Sequence, residues 1–156
     1  MSYKNQHRLK EKKVERYHNE LMDRLGKSIF EKGVKVDIAD SPWGKVLLAD
    51  GEVVAAFFQD DLFPTVNGLL KLIPEKAFVT VDMGAVRFVY NGADIMAPGV
   101  VDADEDIEEG DLVWIRDENH GKPLAVGRAL TDGNTMIEST GGKVVKTLHH
   151  IGDGKY

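Results

Sequence analysis

The chain has 156 residues, of which 42% are hydrophobic and 29% charged, and its 20 basic and 26 acidic side chains give a formal net charge of −6. This composition excludes a wholly disordered or collagen-like chain, and without an apolar run of about 18 residues a membrane-spanning helix is excluded. The sequence has no cysteine, which excludes disulfides, a thiolate nucleophile and a thiolate zinc site.

The N-terminal segment predicts a basic amphipathic helix. Its first 20 residues are polar and charged, unlike a secretory signal, so we expect a soluble cytoplasmic protein. Apolar side chains recur at steps of three and four over residues 9–25, and Gly26 is a typical helix stop. The opposite face is rich in Lys and Arg, which indicates either a solvated face with ion pairs or a phosphate-contacting face.

The following segment predicts strands and a second helix. Residues 34–38 alternate as a strand does, and Asp50-Gly51 between two β-prone runs is a strong hairpin signal. Pro64 is expected in the first turn of a short helix that ends at Ile73-Pro74. A domain boundary is expected at residues 74–76.

The second half predicts a small, closed, mixed barrel. Asp82 is the expected N-cap of a short helix that Asn91-Gly92 ends, and Trp114 and Phe88 are interpreted as core residues. The expected strands cover residues 77–81, 95–96, 112–115, 124–130 and 143–149. Seven acidic residues within positions 102–111 predict a solvated, charge-repelled loop.

No pattern of catalytic or metal-binding residues is present in the sequence. The five histidines form no HExxH pair, and there is no Walker loop, dinucleotide fingerprint or G-x-S-x-G elbow. We therefore expect no enzyme, no catalytic residue, no metal and no cofactor.

The second half resembles a PUA domain, the module named after pseudouridine synthases and archaeosine transglycosylases. The resemblance rests on ordered motifs that together cover residues 76–153: GAVRFV at 84–89, GADIM at 92–96, PGV at 98–100, GDLVWI at 110–115, AVGRA at 125–129 and LHHIGD at 148–153. Several motifs in one order make this resemblance specific.

The first half resembles the segment before the PUA domain in the malignant-T-cell-amplified-sequence family and its archaeal relatives. The matching motifs are DLFPT at 61–65 and LLK at 69–71, and the absence of cysteine favours an archaeal member. The resemblance implies an α+β chain: a small N-terminal α/β pre-PUA domain over residues 1–75 and a C-terminal PUA mixed β pseudobarrel over 76–156.

The resemblance also implies an RNA-binding groove. Its partners would be a tRNA acceptor end, rRNA or another structured RNA in translation or RNA processing, and no membrane. Matched motif by motif, the groove would use Arg87, Gly92, Ala93, Asp94, Ile95, Met96, Ala97, Pro98, Gly99, Val100, Gly127, Arg128, Ala129, Lys143, Val144, Val145 and Lys146.

The residue types themselves favour such a groove, with alternatives. Arg87, Arg128 and the two lysines could neutralise phosphates, and small residues leave backbone polar groups open to a base or sugar. Gly92 and Gly99 could instead serve turns, and Met96 could be core rather than a surface for a base. An acidic 102–111 segment lying across the groove would weaken or abolish RNA binding.

A second hypothesis is a protein-interaction module that docks on the ribosome or a translation factor, with the barrel mainly a scaffold. It rests on the apolar cluster Phe57, Phe58, Leu62 and Phe63 around a proline turn, for which core packing is the alternative.

Overall fold

The computed structural model describes residues 3–156, which divide into two compact units: residues 3–74 with 155–156, and residues 75–154. Residues 1 and 2, where the predicted N-terminal domain begins, lie outside the described residues. The assignment of residues 1–75 and 76–156 to two domains remains a prediction. No helix within residues 3–156 is long and apolar enough to cross a lipid bilayer.

The first unit is an antiparallel sheet of five strands with two helices. The strands lie in the sheet in chain order. The elements are β1 (Lys4–Arg8), α1 (Glu11–Leu25), β2 (Val36–Ser41), β3 (Gly44–Ala49), β4 (Glu52–Phe58), β5 (Asp61–Pro64) and α2 (Val66–Leu72).

The predicted helix and hairpin of this unit are confirmed. Helix α1 buries Tyr17, Leu21 and Leu25 and ends at Gly26, whose φ of 76° is the left-handed conformation that glycine tolerates. The β3–β4 hairpin turns at Asp50-Gly51, where both residues have positive φ, as a tight two-residue hairpin turn requires.

Two expectations for this unit are wrong or incomplete. Pro64 is not in the first turn of α2 but ends β5, and Thr65 caps the helix by accepting the Gly68 N–H at 3.3 Å. Proline is tolerated there because β5 is an edge strand and Pro64 is its last residue. Of the proposed docking cluster, Phe58, Leu62 and Phe63 are buried. They are therefore core residues of this unit and cannot present an apolar docking surface.

The second unit is a near-closed barrel of six strands with two helices. In sheet order its strands run β7-β11-β10-β9-β6-β8, and β6 pairs parallel with β9 while the other recorded pairs are antiparallel. The elements are β6 (Phe78–Val81), α3 (Met83–Tyr90), β7 (Ile95–Met96), β8 (Val100–Ala103), β9 (Leu112–Asp117), β10 (Pro123–Ala129), α4 (Gly133–Glu138) and β11 (Lys143–His150). The expected mixed α+β class with a PUA-like barrel is confirmed.

The barrel core is apolar, and only part of it was predicted correctly. Trp114 is fully buried as expected, and its indole N–H donates to the Lys76 carbonyl at 2.9 Å. Phe88 was expected in the core, and core packing was the alternative for Met96, but 51% and 45% of their surfaces are exposed. The core interpretation of both is therefore wrong, because α3 turns Val89 inward and β7 turns Ile95 inward.

The predicted cap of α3 is confirmed. The Asp82 Oδ1 accepts the Ala85 N–H at 2.8 Å, which satisfies one of the backbone donors that a helix start leaves unpaired. A second donor, the Met83 N–H, reaches the Glu118 carboxylate at 2.9 Å. The cap fixes where α3 begins and hence which of its side chains face solvent.

Replacing Asp82 with Ala is expected to lower the free energy of unfolding by about 1 kcal/mol, the usual cost of a lost N-cap. Urea unfolding followed by circular dichroism measures the loss. Asp82→Asn is the matched control, because asparagine caps equally well and should leave stability nearly unchanged. An equal loss in both variants would contradict the capping role.

Candidate nucleic-acid interface

The loop between α3 and β7 is fixed against β11. Gly92 has a φ of 81°, and a Cβ there would stand 2.9 Å from the Nε2 of His150. The Ala93 carbonyl accepts the Thr147 hydroxyl at 2.9 Å. Gly92 therefore serves both a left-handed turn and a close approach to the His150 ring, so a side chain at this position would strain the turn and displace that ring.

The turn after β7 is tied at both ends. Ala97–Gly99 form one 3-10 turn, in which the Ala97 N–H donates to the Gly142 carbonyl at 2.9 Å. The Gly99 carbonyl accepts the Asp82 N–H at 2.9 Å, and a Cβ on Gly99 would lie 3.1 Å from that of Ala85. Gly99 thus lets the turn pack against α3, and Pro98 is left exposed.

Three cations and one thioether share an exposed strip across β7, β11 and β10. Met96 on β7 pairs with Lys143 on β11, and Lys146 on β11 pairs with Arg128 on β10. Residues paired across antiparallel strands project to the same side of the sheet. Lys143 and Lys146 are three residues apart, which would separate them on a regular strand, but the pairing of β11 with β7 is irregular between Lys143 and Val145, and both lysines lie within 3.5 Å of the Asp94 Oδ2. Both pairs therefore belong to one surface, on which Arg128 is only partly exposed. We call Met96, Lys143, Lys146 and Arg128 the cationic strip.

Two cations of the strip are held by one carboxylate that is mostly buried. The Asp94 Oδ2 lies 3.2 Å from the Lys143 Nζ and 3.5 Å from the Lys146 Nζ, while its Oδ1 accepts the Thr147 N–H at 3.0 Å. Only 13% of the Asp94 side chain is exposed, against about 60% of each lysine side chain. Asp94 therefore lies beneath the ammonium groups, and they face solvent above it.

Asp94 is ionised at neutral pH. Burial raises the pKa of its carboxyl group, but the Thr147 N–H and the two lysines lower it more, so the pKa lies below the ordinary value. The carboxylate consequently neutralises part of the positive charge of the two lysines.

The acidic segment lies beside the other end of the strip. The Arg128 guanidinium donates to the Gly110 carbonyl at 2.9 Å, and the Gly110 N–H donates to the Ala129 carbonyl at 2.8 Å. Asp104 is turned inward and accepts the Ala77 N–H at 2.6 Å. The segment is thus anchored at the end of β10, next to Arg128. Residues 102 and 103, at the start of the segment, were expected in a loop but belong to β8.

Helix α3 carries three exposed large apolar side chains, which do not share one face of the helix because Phe88 and Tyr90 are only two residues apart. Met83, Phe88 and Tyr90 are each more than 40% exposed, which is unusual for three large apolar side chains on an eight-residue helix. The Arg87 guanidinium lies 4.8 Å from the centre of the Phe88 ring, a cation–π distance. An exposed aromatic side chain next to an arginine is a surface on which an unpaired base can stack.

The structure separates the predicted site residues into three groups. Exposed are Arg87, Met96, Pro98, Lys143 and Lys146, and partly exposed are Gly92, Ala93, Asp94, Gly99 and Arg128. Buried, and therefore able only to shape the surface from below, are Ile95, Ala97, Val100, Gly127, Ala129, Val144 and Val145. Among residues 3–156, no three His, Asp or Glu side chains come together in a group that could hold a metal ion.

Sequence reasoning missed the roles of Asp94 and Phe88. Asp94 was counted as part of the groove wall, and nothing in the local sequence shows that it meets two lysines some 50 residues later. The cation–π contact of Phe88 could have been suspected from the adjacent Arg87, once the face of α3 was known.

A six-stranded, near-closed barrel with a helix inserted after its first strand defines a PUA-type protein. Residues 77–151 match the PUA domain family. The chain belongs to the PUA-domain proteins that include translation machinery-associated protein 20 and the malignant T-cell-amplified sequence 1 homolog of Drosophila melanogaster. The expected family is thereby confirmed.

The similarity extends over nearly the whole chain. An uncharacterized protein of Methanocaldococcus jannaschii is 44% identical over 142 residues, which are 91% of this chain and 87% of that protein. Translation machinery-associated protein 20 of Eremothecium gossypii is 30% identical over an alignment of 158 positions, which covers 95% of this chain and 84% of that protein. The crystal structure of a hypothetical protein of Pyrococcus horikoshii has 37% identity and a TM-score of 0.84, with 96% of each chain covered.

A shorter match joins the chain to an RNA-modifying enzyme. A tRNA (cytosine(72)-C(5))-methyltransferase of Pyrococcus horikoshii is 41% identical over 73 residues, which are 47% of this chain but 18% of the enzyme. This similarity therefore concerns a part of that enzyme about the size of one domain.

Proposed function

We propose that the protein is a non-catalytic RNA-binding protein that acts on tRNA or another structured RNA in translation or RNA processing. PUA domains bind RNA, and the relatives include a translation machinery-associated protein and a tRNA methyltransferase. The observation that carries the proposal is the cationic strip, where Lys143, Lys146 and Arg128 stand on one side of the barrel sheet beside Met96. Because the relatives include a translation machinery-associated protein, we also propose a cytoplasmic location.

The exposed groups of the second unit suit the two parts of an RNA strand. Lys143 and Lys146 can contact phosphates, and each such contact displaces counterions and makes binding sensitive to salt. Met96, Phe88 and Tyr90 offer polarisable or aromatic surfaces to bases that are not paired. We propose residues 76–156 as the RNA-binding PUA domain and residues 1–75 as a pre-PUA domain that accompanies it.

The site favours binding over catalysis. Two of its cations, Lys143 and Lys146, are paired with the mostly buried Asp94 carboxylate, and a cation next to a carboxylate does not by itself activate a nucleophile. The match to the tRNA methyltransferase covers only a domain-sized part of that enzyme. We therefore assign the protein the role of a binding module without a cofactor.

Filter binding of tRNA tests the proposal. If two or three phosphates are contacted, the plot of log affinity against log salt should have a slope of about −2 to −3. The same measurement with heparin, which carries charge but no bases, separates RNA recognition from general polyanion binding. No detectable tRNA affinity at low salt, or equal affinity for both polymers, would contradict the proposal.

A second candidate function is docking on the ribosome or a translation factor. The exposed apolar side chains of α3, rather than the buried cluster in the first unit, favour it. Co-sedimentation with purified ribosomal subunits distinguishes the two functions. Phe88→Ser should abolish association if protein docking dominates, and Lys143→Ala with Lys146→Ala should abolish it if RNA contact dominates.

A further inference from the structure

The cations of the strip are already bound to acceptors of the chain itself. Lys143 and Lys146 share one oxygen of Asp94, and Arg128 donates to the Gly110 carbonyl. Of the four cations predicted to contact phosphate, Arg87 differs, since its recorded contact is with the Phe88 ring. An RNA phosphate that approaches the lysines thus meets ammonium groups whose charge Asp94 partly neutralises.

We propose that Asp94 is a specificity-determining residue that competes with RNA phosphate for Lys143 and Lys146. This inference rests on the proposed function and adds to it a control of selectivity. A phosphate must draw the two ammonium groups away from a carboxylate that lies beneath them. A polyanion that offers charge alone then gains little binding free energy. An RNA that also places bases against Met96, Phe88 or Tyr90 gains enough to bind.

The geometry is suited to competition. Both ammonium nitrogens lie within 3.5 Å of the same oxygen, so they are close enough for the oxygens of a single phosphate to contact both. The carboxylate cannot move aside easily, because its other oxygen is fixed by the Thr147 N–H and its side chain is mostly buried. The lysines, each about 60% exposed, can move outward toward a ligand.

The overall charge of the chain adds to the selectivity that Asp94 provides. The chain carries a net charge of −6, so it repels polyanions in general, and the lysine pair is an exception to that repulsion. Asp94 limits this exception to one net positive charge for the three groups. A surface with weak general attraction discriminates by its other contacts.

Replacing Asp94 with Asn tests the inference. Asparagine keeps an oxygen for the Thr147 N–H but removes the charge, so we expect tRNA to bind about two- to thirtyfold more tightly, the range that two exposed ion pairs represent. Heparin should gain more than tRNA, so that the ratio of their affinities falls. Asp106→Asn is the matched control: Asp106 is an exposed aspartate of the acidic segment, and its loss changes net charge equally.

The outcomes separate this inference from the proposed function. If Asp94→Asn binds tRNA no more tightly than the wild type or the Asp106→Asn control, the competition is overturned although RNA binding stands. If alanine at both lysines leaves tRNA affinity unchanged, the proposed function at this site fails instead. In the double-alanine background only the charge repulsion of Asp94 is left to relieve, so Asp94→Asn should gain no more than the Asp106→Asn control; an undiminished gain also overturns the competition. Should Asp94→Asn fold poorly, Asp94→Ser provides the same test with a smaller side chain.

Discussion

Replacing Lys143 and Lys146 together with Ala is expected to weaken tRNA binding about tenfold and to flatten the log–log salt slope by about one to two units. Both ammonium groups are exposed and stand together above Asp94, so they can contact the same phosphate. Their removal also leaves the Asp94 carboxylate without its two cationic partners, which adds repulsion toward RNA. Filter binding or fluorescence anisotropy over a range of salt measures both quantities.

Lys32→Ala with Lys35→Ala is the matched control for this variant. These two lysines are exposed in the first unit and their loss changes the net charge by the same amount. If the two double variants weaken binding equally, the effect comes from total charge and the cationic strip is not the RNA site.

Replacing Gly127 with Ala is expected to lower the free energy of unfolding by about 1–3 kcal/mol, as overpacking a dense core does. Gly127 is buried on β10, and a Cβ there would stand 2.5 Å from the Val145 Cγ1 and 2.6 Å from the Lys146 carbonyl oxygen. One of these contacts is with backbone, so β10 and β11 must separate locally. Because Lys146 belongs to the cationic strip, tRNA affinity should fall as well.

Gly141→Ala is the control for Gly127→Ala. A Cβ at Gly141 would meet no heavy atom within 4 Å, and this glycine precedes β11 rather than lying inside a strand. Its replacement should leave the free energy of unfolding in urea nearly unchanged or slightly higher. A Gly127→Ala protein that unfolds at the same urea concentration as the wild type would contradict the close strand packing.

The parts of the fold that the sequence predicted are those with a strong local signal. Asp50-Gly51 specifies its hairpin through two positive φ values, and Asp82 specifies the start of α3 through a side-chain hydrogen bond. The missed elements are short or lack an apolar pattern. Strand β1 is polar and fully exposed, β8 is partly concealed in the acidic run, and α4 has only six residues.

The orientation of side chains was less predictable than the elements. Ile95 and Met96 are both apolar in a two-residue strand, so alternation alone cannot say which one faces the core. In α3 the same ambiguity concerns Phe88 and Val89, which are adjacent and both apolar. The barrel resolves it by burying Val89, and only the tertiary structure contains that information.

The candidate site was predicted as a set of positions but not as an arrangement. The family motifs indicated the segments that contain Asp94, Lys143 and Lys146, yet the ion pairs depend on β7 lying beside β11. The position of the acidic segment likewise depends on the Gly110–Ala129 hydrogen bond, which joins residues far apart in sequence terms. Such long-range pairing leaves no signature in local spacing.

The parallel pairing of β6 with β9 has a consequence for the order in which the barrel forms. Phe78 pairs with Trp114, so the first strand of the unit has no neighbour on that side until 36 further residues have followed it. Contacts so distant along the chain slow folding, because a long loop must close before they form. On a translating ribosome, α3 can acquire its helical turns early and β6 can pair with β8, whereas the pairing of β6 with β9 must wait for β9 to emerge. We therefore expect the pairing of β6 with β9, which joins the two parts of the barrel sheet, to be a late step in folding.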